Sequence, residues 1–392
     1  MRTSRALRWV VAGLAAATTL TACAAEETPA ASSGGGGDIK IGASLELSGA
    51  TASIGTAYRN ALQLKVKQIN DANVLGGRKI SLVVRDNQTK PDEAIQVVNG
   101  LINNDKVNAL IEGGCSACAV AAAKTVESRQ MPTIALASAS AITSPASAHP
   151  YTFKISPNPD EDAVVLIDEL KRKGVTRIGL LNVNNVYGQE GRTAVTTEAA
   201  KQGIDVIQAE QFGETDKDMT VQLRNIAAKK PQAIVVWAVS PAAGIVATNA
   251  KDIGFDGGLY LDAGAGAELY VQGAKAAAEG THMVFVRTLA ANDITGTDPA
   301  SAAQKRWYAD YTQAYGPYSG FASFASDALQ MITNAIQQTN GTDPTAIRDA
   351  LEKMGIDGDS GRIQNSAQNH SGLQPAALAV LEVRDGQWHL SN

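Results

Sequence analysis

Short apolar segments alternate with amphipathic segments along most of the chain. Apolar residues concentrate at 39–47, 79–85, 107–112 and 133–137, and helical spacing fills the intervals, for example at 57–72 and 91–104. Short apolar strands separated by helices indicate crossover connections between parallel strands. This part of the chain therefore predicts an α/β fold with a parallel sheet that helices cover on both faces.

The same alternation restarts after Pro157. Strands are predicted at 177–182, 205–209, 233–238, 259–261 and 281–286. Near the C-terminus, apolar segments at 377–384 and 387–390 flank Asp385-Gly386, which is typical of a β-hairpin. The two runs predict two similar lobes. Because loops gather at the carboxyl ends of parallel strands, two facing lobes would form a ligand cleft that closes by hinge motion.

Length, composition and charge narrow the function classes. The chain has 392 residues, of which 44% are apolar and 19% charged, so it can bury the cores of two domains. The net charge of −5 argues against a nucleic-acid partner, which favours a basic surface. No apolar run reaches the ~20 residues of a spanning helix, which excludes a polytopic membrane protein.

The N-terminal segment has the parts of an export signal. Arg2, Arg5 and Arg8 precede a short apolar stretch, and small residues lead to Cys23. A basic start, an apolar core and small residues at the cleavage point are typical of a secretory signal peptide. A signal peptide cut elsewhere and a short membrane anchor are the alternatives.

The sequence Leu20-Thr-Ala-Cys resembles the lipobox of bacterial lipoproteins. The resemblance implies removal of residues 1–22 and diacylation of Cys23, which would hold the protein at the extracytoplasmic face of a bacterial membrane. Cleavage removes three arginines and no acid, so the net charge changes from −5 to −8. Residues 23–37 are rich in Ala, Ser and Gly and predict a flexible tether.

One loop has the chemistry of an anion site. Gly113-Gly114-Cys115-Ser116 lies between a predicted strand and a predicted helix. Free backbone N–H groups and the helix dipole at such a position favour a carboxylate. Ser116 adds a hydroxyl donor, and the alternative is that Ser116 only caps the helix.

A set of motifs over about residues 38–390 resembles the leucine/isoleucine/valine-binding proteins of bacterial ABC importers. The motifs are, in order, Ile39-Lys-Ile-Gly, Leu47-Ser-Gly, Gln68-Ile-Asn-Asp-Ala, Leu75-Gly-Gly-Arg-Lys-Ile, Asp86-Asn-Gln, Val186-Tyr-Gly-Gln-Glu-Gly, Ala276-Ala-Ala-Glu-Gly and Gly358-Asp-Ser-Gly-Arg-Ile. The resemblance implies the type I periplasmic-binding-protein fold, in which two Rossmann-like lobes are joined by three hinge segments. The implied hinge segments are 154–159, 284–290 and 362–374. The implied lobes are 38–157 with 287–365, and 158–286 with 366–392.

The same resemblance implies which residues contact a ligand. Ser116 matches a serine that binds the ligand carboxylate, and Tyr187 matches a tyrosine whose ring covers the ligand. Phe321 matches an aromatic residue at the side-chain end, with core packing as its alternative role. The alternative to a cleft position for Tyr187 and its neighbours is that Asn184 and Asn185 are simple turn residues.

The loop at Ala137, Ser138 and Ala139 departs from the family pattern, which is usually Ala-Ala-Thr and donates to the head group of an amino acid. Either Ser138 or Ser140 replaces the missing threonine, or the ligand has a different head group. Ordinary loop serines are the alternative to both.

Two further departures concern the ligand itself. Ile54 is aliphatic where the family often has an aromatic residue. The family's acid that pairs with the α-ammonium falls at Ala263, with Asp262 one position away. A buried ammonium without an anion is costly. Either Asp262 takes that role or the ligand carries no ammonium.

Cys115 and Cys118 form a Cys-x-x-Cys pair at the anion loop. Export to an oxidising compartment favours a disulfide between them. Free thiols are one alternative. A redox motif is another, although thioredoxin-like surroundings are missing.

A serine hydrolase is the main enzyme alternative, because Gly114-Cys-Ser-Ala-Cys118 is similar to a nucleophile elbow. The last glycine of that motif is replaced by Cys118, and the required acid and histidine have no matching context. The four histidines are scattered, and the sequence has no zinc motif, phosphate loop or dinucleotide fingerprint. We therefore expect no catalysis, no metal and no cofactor.

These observations and the resemblance predict a monomeric substrate-binding lipoprotein that delivers a small ligand to the permease of an ABC importer. The expected ligand is an aliphatic, branched-chain-type amino acid. An aromatic or aliphatic carboxylic acid, or an amide, without an ammonium group is the alternative ligand. A ligand-sensing receptor module is the alternative function.

Overall fold

A computed structural model describes residues 37–391. The predicted signal peptide, the lipidation site at Cys23 and the tether up to residue 36 lie outside these residues. Within the described part of the chain, no helix has both the length and the apolar character needed to cross a membrane.

Strands and helices alternate over the described residues. The strands are β1 (Ile39–Leu45), β2 (Ile80–Asp86), β3 (Ala109–Glu112), β4 (Thr133–Ala135), β5 (Thr152–Lys154), β6 (Arg177–Val183), β7 (Asp205–Phe212), β8 (Ala233–Trp237), β9 (Gly258–Leu261), β10 (His282–Val286), β11 (Gly355–Asp357), β12 (Arg362–Gln364), β13 (Leu378–Arg384) and β14 (Gln387–Leu390). The helices are α1 (Ala52–Asp71), α2 (Pro91–Gly100), α3 (Ser116–Ser128), α4 (Pro159–Arg172), α5 (Val186–Gln202), α6 (Thr220–Ala227), α7 (Ala242–Asp252), α8 (Glu268–Ala274), α9 (Pro299–Tyr315), α10 (Phe321–Thr339) and α11 (Pro344–Glu352).

The first sheet has the strand order β2-β1-β3-β4-β5, and every neighbouring pair is parallel. All four residues of β3 are buried, and β1 exposes only Lys40. Such uninterrupted burial is expected when both faces of a parallel sheet are covered. The strand order reverses between β1 and β3, and a crevice forms at the carboxyl ends beside such a switch point.

The second sheet has the order β14-β13-β10-β9-β8-β6-β7. The strands from β7 to β10 are parallel, whereas β13 and β14 run antiparallel at one edge. The hairpin predicted at Asp385-Gly386 is present, and both residues have the positive φ that a tight two-residue turn needs. Because β13 pairs antiparallel with both β10 and β14, this sheet is mixed rather than purely parallel.

The first helix begins earlier than the apolar spacing predicts. The sequence pattern starts the helix at residue 57, whereas α1 starts at Ala52. The extra turn packs tightly on the end of β1, since a Cβ atom on Gly55 would lie 2.0 Å from the carbonyl oxygen of Glu46. The second predicted helix, at 91–104, ends earlier, because a π-helical turn replaces its last residues. The ends of these two helices therefore differ from those that local periodicity predicts, as helix ends often do.

After β10 the chain returns to the first sheet, where α10 packs against α1 and beside β3. The N–H of Lys154 donates to the carbonyl of His370 at 2.7 Å, and the N–H of Gly372 donates to the carbonyl of Lys154 at 3.0 Å. The predicted first and third hinge segments are therefore hydrogen-bonded side by side. The predicted bounds of the two lobes stay a prediction.

Gly55→Ala should lower the free energy of unfolding by about 1–3 kcal/mol, because backbone must move to admit the new methyl group. Gly100→Ala is the matched control, since an added Cβ there meets nothing within 4 Å. Chemical denaturation should find the control unchanged, or stabilised by up to about 1 kcal/mol. Equal stability of the two variants would contradict the close packing of α1 on β1.

Candidate ligand-binding site

A cavity lies between the carboxyl ends of the two sheets. Its walls come from α1 and the loops after β3 and β4 on one side, and from the loops after β6, β8 and β9 on the other. The space open to the centre of a water molecule is about 70 Å³. The switch points of both sheets therefore contribute to one site, as expected for facing α/β sheets.

Residues 113–116, here called the ligand loop, lead directly into α3. Cys115 caps this helix, and its sulfur accepts a hydrogen bond from the N–H of Cys118 at 3.2 Å. The structure also joins these two cysteines by a disulfide. Ser116 is buried, and its oxygen accepts from the N–H of Ala139 at 3.2 Å. That bond uses an oxygen lone pair and leaves the hydroxyl hydrogen free to donate to a ligand.

The structure brings most of the predicted ligand residues to this cavity. Those that line it are Ile54, Ser116, Ala137, Ser138, Tyr187 and Phe321. The hydroxyl of Ser138 donates to the carbonyl of Pro157 at 2.8 Å, so it binds the first hinge segment. Ala139 does not line the cavity. It is fully buried and contributes its N–H to Ser116 instead.

Asp262 does not line the cavity either. Its side chain is fully buried, and its two oxygens accept from the N–H groups of Ala238 and Gly264, each at 2.9 Å. Burial raises the pKa of Asp262 to about 8. The carboxyl therefore ties together the loops after β8 and β9. This corrects the expectation that Asp262 meets a ligand ammonium, because Ala263 occupies the lining position.

Aromatic rings form much of the remaining wall. Tyr58, Phe285 and Phe324 line the cavity together with Tyr187 and Phe321. Phe321 packs edge-on against Tyr58 at 6.1 Å and against Phe285 at 5.5 Å between ring centroids. Sequence reasoning missed Tyr58 and Phe285. Tyr58 lies on α1 and Phe285 on β10, and the sequence alone does not show which other elements those two contact.

Glu214 is the one carboxylate among the described lining residues. Its Oε1 accepts from the side-chain amide of Asn185 at 2.5 Å. A second cavity of about 320 Å³ shares Thr51, Asn185, Glu214 and Val239 with the first, so Glu214 lies where the two spaces meet. The residues 213–219 that carry Glu214 gave no functional signal in the sequence.

A second acid, Glu46, lies directly behind the ligand loop. Its Oε1 accepts from the N–H of Gly114 at 2.8 Å, while its buried Oε2 has no hydrogen-bond partner among the described residues. Burial raises the pKa of Glu46 to about 7, although Gly114, Cys115 and Asn87 favour the charged form. The loop leaves no room for a larger residue, since a Cβ atom on Gly113 would lie 2.1 Å from Oε2.

A buried lysine lies behind the neighbouring wall. The ammonium of Lys154 donates to the carbonyls of Ser138 at 3.1 Å and Ser156 at 2.9 Å. Burial lowers the pKa of Lys154 to about 8, while Glu161, Glu190 and Asp160 oppose that shift. A positive charge therefore lies behind two cavity residues at the first hinge segment.

Comparison with known proteins places these features in a family context. The model of a family described as periplasmic binding protein matches residues 38–387. An amino acid binding protein of Pseudomonas aeruginosa is 25% identical over 257 residues, which are 60% of this chain and 66% of that protein. The chain thus aligns with just under two thirds of that relative.

Solved structures share the fold over nearly the whole chain. LivJ from Streptococcus pneumoniae, in complex with isoleucine, has a TM-score of 0.79 at 23% identity, over 90% of this chain and 99% of that one. RPA0668 from Rhodopseudomonas palustris, in complex with benzoate, has a TM-score of 0.81 at 21% identity, over 90% and 95%. At these identities the likeness shows the type I periplasmic-binding-protein fold, as the sequence motifs predict.

Glu46→Gln should change how stability depends on pH. Because the pKa of Glu46 rises from its ordinary 4.5 to about 7 on folding, the native state binds more protons than the unfolded state between these values. Stability from this group is therefore complete below about pH 4.5 and lost by about pH 7. The variant should avoid this loss, which amounts to about 3 kcal/mol.

Unfolding by urea at a series of pH values measures this difference between the wild type and Glu46→Gln. Other buried acids contribute to both proteins and cancel in the comparison. A constant difference from pH 4.5 to pH 8 would show that the pKa of Glu46 is not raised in the native state.

Proposed function

Because the chain belongs to the periplasmic binding protein family, we propose that it is the substrate-binding lipoprotein of an ABC importer. The family binds solutes and is not enzymatic, so the serine hydrolase alternative is dropped. As a monomer, the protein would capture a small ligand in the cavity and present it to the permease.

The proposed anchor is the acylated Cys23. Cys23→Ser should therefore shift the protein from the membrane fraction to the soluble fraction when cells are fractionated.

The ligand we propose is a small carboxylate with an apolar body. The single observation that carries this proposal is that the ligand loop and several aromatic rings line the same cavity. Ser116 and the N-terminus of α3 supply donors for a carboxylate at one side of the cavity. Tyr58, Tyr187 and Phe321 supply apolar surface in the same cavity.

The charges around the cavity favour a ligand without an ammonium group. Ala263 lines the wall where the family has its acid, and the carboxyl of Asp262 is bonded to backbone behind that wall. An ammonium buried there without an anion would be costly. We therefore propose an aromatic or branched aliphatic acid. The benzoate complex of the Rhodopseudomonas protein shows that this fold accommodates an aromatic acid.

An amino acid is the second candidate, because Glu214 lines the cavity and offers one carboxylate to an ammonium. The isoleucine complex of LivJ and the name of the Pseudomonas relative also favour it. In this case Asn185 would give up part of its bond to Glu214 or share it with the ligand.

A thermal-shift screen of the purified protein distinguishes the two candidates. The panel would hold leucine, isoleucine, valine and phenylalanine on one side, and benzoate, phenylacetate and isovalerate on the other. A ligand at 100 times its Kd stabilises by about 2.7 kcal/mol and raises Tm by a few degrees. If only the amino acids raise Tm, the proposed ligand class is wrong. If no compound of either set raises Tm, the carboxylate site itself is contradicted.

Ser116→Ala should weaken binding of the best carboxylate roughly 10- to 100-fold, because it removes a hydrogen bond to a charged group. Ser128→Ala is the matched control, since Ser128 is an exposed residue at the far end of the same helix. Isothermal titration calorimetry measures both. An unchanged Kd for Ser116→Ala would remove this hydroxyl from the site.

Glu190→Ala should speed release of the ligand. Glu190 lies on α5 beside the second sheet, and its carboxylate accepts from the N–H groups of Ser140 at 2.6 Å and Ala141 at 3.4 Å, in the loop after β4 of the first sheet. This contact joins the two sides of the cleft. Its loss should raise koff about three- to tenfold with a smaller change in kon.

Stopped-flow measurement of ligand release tests this prediction, with Thr197→Ala at an exposed position on the same helix as the control. If Glu190→Ala and the control release the ligand at the same rate, Glu190 does not hold the cleft closed.

A further inference from the structure

Glu46 is an unusual group to find behind a carboxylate site. Gly114 lines the cavity and also donates its N–H to Glu46 Oε1 at 2.8 Å. A Cβ atom on Gly114 would lie 3.3 Å from both Glu46 Oε1 and the hydroxyl oxygen of Tyr58. Only the thickness of one backbone segment therefore separates the Glu46 carboxyl from the cavity.

A bound carboxylate and an ionised Glu46 would compete for the same surroundings. Both would accept from N–H groups at the start of α3, and the N–H of Gly114 is already bonded to Glu46. Two negative charges a few ångströms apart in a buried site cannot both remain ionised without a large cost. The second oxygen of Glu46, Oε2, is buried without a hydrogen-bond partner among the described residues.

We propose that Glu46 takes up a proton from solvent when a carboxylate ligand binds, so that ligand capture strengthens as the external pH falls. The proton adds to Oε2, the oxygen without a partner, and no other bond breaks. Oε1 keeps its hydrogen bond from Gly114, so the ligand loop keeps its shape. Glu46 is thus a positioning residue that makes the site selective for anions at lower pH, and this inference rests on the proposed carboxylate ligand.

The elements around Glu46 carry other titratable groups, on α1, β2 and β3. Tyr58 faces it from α1, and its own pKa is raised by burial and by Glu46. On β2, the carboxylate of Asp86 accepts from the N–H groups of Leu47 and Ser48. On β3, burial and the charge of Glu127 raise the pKa of Glu112 to about 8.

Lys154 is the main competing source of proton uptake. It lies behind Ser138 and Ser156, and its pKa of about 8 would rise beside a bound anion. Since both groups would gain protons on binding, the experiment must separate them by substitution. Because the pKa of Glu46 is about 7, proton uptake by Glu46 on ligand binding is expected between about pH 6.5 and pH 8.5.

Isothermal titration calorimetry in phosphate and in Tris at pH 7.5 counts the protons taken up, because the buffers differ in ionisation enthalpy. The probe is the tightest carboxylate of the thermal-shift panel. The wild type should take up about 0.5–0.8 protons per ligand, and its Kd should rise roughly tenfold from pH 6.5 to pH 8.5. Glu46→Gln should take up no more than about 0.2 protons at pH 7.5, the share that Lys154 can still accept, and its Kd should change less than about threefold over the same pH range.

Two controls accompany this measurement. Glu112→Gln removes another buried acid, at the end of β3, and should keep the wild-type proton uptake. The primary amide of the same ligand, titrated into the wild type, should bind without proton uptake. This second comparison needs no variant, so it tests the proposal even if Glu46→Gln fails to fold.

Three results would overturn the proposal. Proton uptake that persists in Glu46→Gln at the wild-type level would assign it to a group other than Glu46, such as Lys154. A carboxylate that binds the wild type without proton uptake, or with the same uptake as its amide, would show that Glu46 does not respond. If no carboxylate of the panel binds at all, the proposed ligand class fails and the inference fails with it.

Discussion

The hydrogen bond between the N–H of Gly114 and the buried carboxyl of Glu46 holds the ligand loop in place. The loop lies at the switch point of the first sheet, where the ends of β1 and β3 diverge. Its neighbour Gly113 has no space for a side chain against the same carboxyl. From this fixed point α3 begins at Ser116, and Ser116 in turn binds the loop after β4 through Ala139.

The cavity depends on this sequence of contacts because each one positions the next wall. Ser138 binds the first hinge segment at Pro157, and Lys154 binds the carbonyls of Ser138 and Ser156. The ligand loop, the adjacent loop and the predicted first hinge segment are therefore one hydrogen-bonded unit on the side of the first sheet. If the cleft closes about the predicted hinge, a ligand that contacts this unit also contacts the hinge, and capture and closure would share the same residues.

The buried charges of the site are arranged behind its walls rather than in them. Glu46 and Asp262 have raised pKa values because burial disfavours their charged forms, and the pKa of Lys154 is lowered for the same reason. The lining itself is largely aromatic and aliphatic, with several hydroxyl groups and with Glu214 at the junction with the second cavity. Such a site would select a ligand by shape and by one anionic group, and its affinity would depend on the protonation of groups that the ligand never touches.

The sequence by itself determined the alternation of strands and helices, the C-terminal hairpin, the family and the ligand loop, because each depends on local periodicity or on residues adjacent in the chain. Ser116, Tyr187 and Phe321 follow from motifs of that kind and do line the cavity. Only the tertiary structure decided that Asp262 turns away from the cavity to bind two loops. It also decided that Phe285 faces the cavity and that Glu46 lies behind Gly114. These outcomes depend on which strand ends of the two sheets lie next to one another. Residues far apart in the chain form those contacts, so no local sequence pattern predicts them.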